Sequence, residues 1–187
     1  MVDSILNYLQ GSTEISIGVL VVLSLYFILV FWIFIYKYFR LSSDLTTEKN
    51  NLNSLSSREV TVNPLSRIGQ CVKGRIVSKE ALKVCEMTYI REASSGLSWL
   101  SIIASTAPFI GLFGTVVGIL ESFAKFSTAS KVSFATIAPA ISEALVATAA
   151  GIFVAIFAYT FHQILTRKVY ELNTYLKSQI DIILSRN

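Results

Sequence analysis

One carboxylate stands inside a long apolar run: Glu143, within ATIAPAISEALVATAAGIFVAIF, with no Lys or Arg within ten residues on either side. An ionised side chain at a bilayer centre costs about 2.5–3.5 kcal/mol on insertion scales, so it must be neutral, reach water, or face polar partners in a bundle. The chemistry this permits is an ion or proton site. The competing reading is a carboxylate near the outer membrane surface, because Glu143 follows Lys131 by 12 residues, about 18 Å of helix. Two hydroxyls belong to the same question. Thr148 lies five residues beyond Glu143, roughly 140° around an ideal helix, so the two need not share a face. Thr115, in the preceding apolar stretch, either lines a polar path or returns a hydrogen bond to its own backbone.

Small residues surround these groups. Gly111, Gly114 and Gly118 form the run GLFGTVVG, and Ala138, Ala140, Ala144, Ala147, Ala149, Ala150 and Gly151 leave little bulk around Glu143. Small residues four apart let helix backbones approach closely in a membrane, which makes Gly111, Gly114, Gly118, Ala147 and Gly151 candidate packing positions. His162 is open to two readings, a ring at the membrane interface or a proton relay. Two cysteines, Cys71 and Cys85, are too few for a disulfide framework and lack the paired spacing of a zinc site, so neither metal nor redox chemistry is expected of them. The chain offers no glycine-rich phosphate loop and no nucleophile beside a base, so no enzyme and no cofactor are expected.

The elements that position these groups follow from charge. Hydrophobic residues make up 53% of the 187 and charged residues 15%, well below the charge of an ordinary soluble domain. No Lys, Arg, Asp or Glu occurs in Ile15–Tyr36, Ala93–Leu120 or Ala144–Thr166, each long enough to cross a bilayer core of about 30 Å as a helix. The first stretch lacks the cationic start and cleavage site of a signal peptide and reads as a retained anchor. The reading is an all-α integral membrane protein with three transmembrane helices and cytoplasmic helical extensions. Of 16 Lys and Arg, ten lie in Lys37–Arg91 and four after Thr166, against Lys125 and Lys131 in the hairpin. The positive-inside tendency then puts the N-terminus in the periplasm and the C-terminus in the cytoplasm. The expected divisions are 1–14 periplasmic, 15–37 first transmembrane helix, 38–96 cytoplasmic loop, 97–120 second helix, 121–132 periplasmic hairpin, 133–166 third helix, and 167–187 cytoplasmic amphipathic helix. Within the loop, Leu41–Asn63 reads as a polar linker; helix is expected from Pro64 on, with Ile68, Val72, Ile76, Leu82, Cys85 and Tyr89 recurring along it. The net charge of +4 fits retention of cations beside anionic membrane lipid and requires no nucleic acid.

The run APFIGLFGTVVGI, followed some twenty residues on by IAPAISEALVATAAGIFVA, resembles the TolQ/ExbB/MotA family of proton-driven motor proteins. The paired motifs cover Ala107–Phe157, and the order of one crossing, a cytoplasmic loop and two more crossings resembles TolQ and ExbB along the whole chain. Val117 stands where the family usually has Trp, Ala140 where it has Gly, and Ser142 where Ala is common. The resemblance implies a bacterial (Gram-negative) inner-membrane protein, a homopentamer around a dimer of a TolR/ExbD-like single-span protein that carries the cycling aspartate. It also implies a TolA/TonB-like periplasm-spanning partner. By motif position it implies polar pore-lining roles for Thr115, Glu143 and Thr148. Three crossings and a short loop disfavour the flagellar stator branch. The short N-terminus looks more like TolQ, with a role in outer-membrane integrity and constriction at division. ExbB, energising TonB-dependent uptake, is the alternative, and a passive membrane scaffold is the alternative of a different class.

Overall fold

The computed structural model of the protein describes residues 14–56, 66–72, 78–127 and 134–185, with the side chains of residues 14, 16, 56, 70–72, 125–127, 134–137, 140 and 143 outside the description. Five helices occur among the described residues: α1 Glu14–Ser56, α2 Arg67–Val72, α3 Lys79–Ser94, α4 Leu97–Ser127 and α5 Phe134–Ser185. Helices within Ile17–Leu55, Lys79–Ala124 and Ala144–Ser185 are long and apolar enough to cross a membrane. The fold is that of an all-α membrane protein.

Polar composition misleads at the end of α1. Leu41 to Ser56, expected as linker, is helical. The reason is a buried stripe, Leu41, Glu48, Asn51 and Leu55, at helical spacing, which composition averages away. The hydroxyls of Thr46, Thr47 and Ser54 bond to the carbonyls four residues earlier, so they do not compete for the ladder. Pro64 lies outside the described residues. The helices that follow start with serine caps: Ser66 accepts from the Gly69 amide at 3.0 Å, and Ser78 from the Ala81 amide at 3.1 Å. Between α3 and α4 the chain turns at Gly96, whose φ of 86° is left-handed backbone open to glycine.

The chain forms two compact units, Met1–Trp32 with Trp99–Phe161, and Ile33–Ser98 with His162–Asn187. In the first, the buried stripe of α5 runs Ala144, Ala147, Val154, Ala158, and Leu100, Ile103 and Ala107 of α4 and Leu23 and Val30 of α1 are buried in the same unit. Phe27 and Phe31 of α1 meet Phe153, Phe157 and Phe161 of α5 at ring-centroid distances of 5.1 to 5.8 Å. In the second, Leu165, Val169, Leu172, Leu176 and Ile180 of α5 are buried with Leu41, Leu55, Ile68 and Leu82. Cys85 is disulfide-bonded there. A single bridge needs only local proximity, which spacing does not reveal.

Candidate functional site

The small residues of α4 and α5 bring two backbones into contact. A Cβ on Gly111 would lie 2.7 Å from the Ala147 carbonyl oxygen, and one on Gly151 would lie 2.5 Å from the Ala107 carbonyl oxygen. Gly114 faces the Ala147 methyl and Val19 of α1. Gly118 is buried one turn further on, its carbonyl accepting from Ser122 at 2.7 Å. These contacts lie within one chain.

Close approach places the two threonines together. Thr115, 8% exposed, bonds hydroxyl to hydroxyl with Thr148, 33 residues away in sequence. Thr115 also reaches the Ala144 carbonyl at 3.0 Å and its own helix's Gly111 carbonyl at 3.4 Å, and Thr148 reaches that same Gly111 carbonyl at 3.2 Å. Each hydroxyl has one proton, so at any moment one hydroxyl donates to the other, which donates to a backbone carbonyl. The pair can reverse its donor order, as a relay requires, and it also ties α4 to α5. Glu143 lies in α5 beside Ala144; its side chain is outside the described residues. Pro139, four residues earlier, removes one amide from the ladder near it. His162 is half-buried. The groove of about 250 Å³ between α1 and α5 is lined by apolar groups, Ser24 excepted. Among the described residues no group of three or more His, Cys, Asp or Glu could hold a metal.

A second polar cluster escaped the sequence reading. Glu48, 1% exposed, accepts from the Arg67 amide at 2.8 Å and from Gln179 Nε2 at 3.0 Å; Gln179 in turn accepts from Asn51 Nδ2 at 2.7 Å. Arg67 pairs with Asp44 at 3.8 Å and lies 4.8 Å from the centroid of the Tyr89 ring. Burial, above all, pushes the Tyr89 phenol above its ordinary value, and the Asp44 carboxylate adds to this. Lys37 donates to the Glu92 and Ala93 carbonyls at the end of α3, and Arg40 pairs with Glu92 at 2.6 Å. The spacing of Leu41, Glu48 and Leu55 by sevens marks Glu48 as inward-facing. Gln179, 131 residues away, has no local signal tying it there.

Residues 64–178 match the MotA/TolQ/ExbB proton channel family. A Helicobacter pylori protein named biopolymer transport protein ExbB-like 1 is 42% identical over 188 residues, covering 100% of both chains. The biopolymer transport protein ExbB of Pseudomonas putida is 46% identical over 79 residues, 42% of this chain and 24% of that protein. The Tol-Pal system protein TolQ of Pseudomonas aeruginosa is 43% identical over 76 residues, 41% of this chain and 33% of that one.

Proposed function

The chain belongs to the MotA/TolQ/ExbB proton channel family, and from that premise we propose that this multi-pass inner-membrane protein is a subunit of a proton-driven motor of the ExbB type, coupling proton flow to force on a periplasm-spanning partner. The observation that carries the reading is the Thr115–Thr148 hydroxyl pair in the α4–α5 seam, reaching the carbonyl of the residue next to Glu143. Glu143, Thr148 and Thr115 form the proton path, and Gly111, Gly114, Gly118, Ala147 and Gly151 hold the helices that carry it. The subunits form a homopentamer around a dimer of a TolR/ExbD-like single-span protein, with the N-terminus periplasmic. One proton crossing about 150 mV releases about 3.5 kcal/mol, enough to bias a rotation step.

The ExbB assignment rests on the relative matched from end to end, named ExbB-like and covered in full. It matches a chain of this length, so a short N-terminus does not by itself favour TolQ. The TolQ reading is supported by the match to TolQ over 76 residues. A deletion strain separates them: loss of growth on chelated iron supports ExbB, and detergent sensitivity with chained cells supports TolQ.

The direct test is proton flux into vesicles holding the protein with its single-span partner. Glu143→Ala is expected to lower flux at least about tenfold and Thr148→Val several-fold, about 1.4 kcal/mol of barrier per decade, with assembly unchanged by native mass spectrometry. Full flux in Glu143→Ala overturns the proton path. A dispersed oligomer in that variant supports the scaffold reading instead.

A further inference from the structure

We propose that Arg167, with Tyr170 beside it, holds the phosphate of an anionic phospholipid at the end of the third crossing. The cations at the ends of the apolar stretches of α1 and α5 are not equivalent. Lys37 is occupied by the Glu92 and Ala93 carbonyls, Arg40 by Glu92 and Tyr36, and Lys168 lies 4.4 Å from the centroid of the Tyr38 ring. Arg167 stands apart, its side chain 83% exposed, with one bond, from Nε to Glu171 at 3.2 Å.

A guanidinium has five N–H donors, so the terminal edge, with the paired geometry that suits a phosphate, remains for an outside partner. Glu171 holds the other edge and aims the fork. Tyr170, 71% exposed, is the kind of ring that settles at headgroup depth, where its face meets acyl chain and its hydroxyl meets water. Arg167 directly follows the uncharged stretch Ala144–Thr166, which sets its depth at the membrane boundary and selects a lipid phosphate over a soluble anion. The inference needs only that α5 crosses the membrane and does not depend on proton conduction.

The full chain in phosphatidylcholine nanodiscs with a fraction of phosphatidylglycerol provides the test, with retained lipid counted by native mass spectrometry. Arg167→Gln is expected to lower retention of phosphatidylglycerol about fivefold, the worth of one interfacial cation. Arg167→Lys, which keeps the charge and loses the fork, should fall between, and Lys177→Gln, further along the exposed face, should match the wild type. Equal retention in Arg167→Gln overturns the proposal, as does an equal loss in Lys177→Gln, which would mean that only total charge matters. Displacement of the lipid by millimolar inorganic phosphate would reassign the site to a free anion. A changed oligomer for Arg167→Gln in pure phosphatidylcholine would reassign the face to a second copy; either result rejects the lipid.

Discussion

One helix packs by two different rules along its length. From Ala144 to Ala158 the buried stripe of α5 is alanine, glycine and valine, and from Leu165 to Ile180 it is leucine, valine and isoleucine with Gln179 among them, at the same spacing of three and four. Lipid is as apolar as leucine, so burying a large side chain inside the membrane gains little and close backbone contact gains more. Beyond the apolar stretch, removal of leucine from water is itself the driving force. The polar groups divide the same way. In the first unit the threonine hydroxyls bond to each other and to backbone. The second buries a carboxylate and two amides in a shared network.

The largest effect expected from this contrast is at Gly151. A methyl there meets the Ala107 carbonyl at 2.5 Å, and backbone has little room to yield, so Gly151→Ala should cost about 3 kcal/mol. Gly18→Ala, with nothing within 4 Å, should stay within about 0.5 kcal/mol. Unfolding in detergent measures both, and equal stabilities would show that the seam does not depend on close approach. Next comes Gln179→Leu, which removes the amide that Glu48 and Asn51 share and should cost about 2 kcal/mol. If it costs no more than Ser178→Ala, the buried network contributes no stability and the leucines carry that unit alone.

Smaller again is an alkaline effect at Tyr89. Its native phenol titrates above the ordinary value of 10.0, so the native state holds a proton that the unfolded chain releases. Stability is therefore full below pH 10 and falls as pH rises past it, by about 1.4 kcal/mol per unit. Tyr89→Phe should flatten that limb of the unfolding curve, and an unchanged slope would place the loss at other groups. Smallest is Arg40→Gln. Its ion pair with Glu92 has side chains 41% and 52% exposed, so the change should stay below about 0.5 kcal/mol and vanish in high salt; a larger loss would mark it as an anchor of α3.

Much of this architecture is legible without coordinates. Three uncharged stretches demand three apolar helices, because a charge is costly in lipid and a helix is the segment that satisfies its own backbone there. The glycine and alanine runs mark which faces can approach closely, and the GLFGTVVG and ISEALVATAAG motifs fall within the residues that match the family. Composition hides the extension of α1 to Ser56, because serine, threonine and asparagine outweigh the stripe of Leu41, Glu48 and Leu55 that carries the helix. Periodicity assigns residues to faces of a helix; it does not say which faces meet. That pairing is settled by three-dimensional packing, where a glycine opposite a carbonyl permits a contact that a methyl would forbid. So the sequence by itself determined three long apolar helices and a carboxylate within the apolar run of the last. Only the tertiary structure joined Thr115 to Thr148 across 33 residues and Glu48 to Gln179 across 131, because such contacts depend on how closely two helices lie.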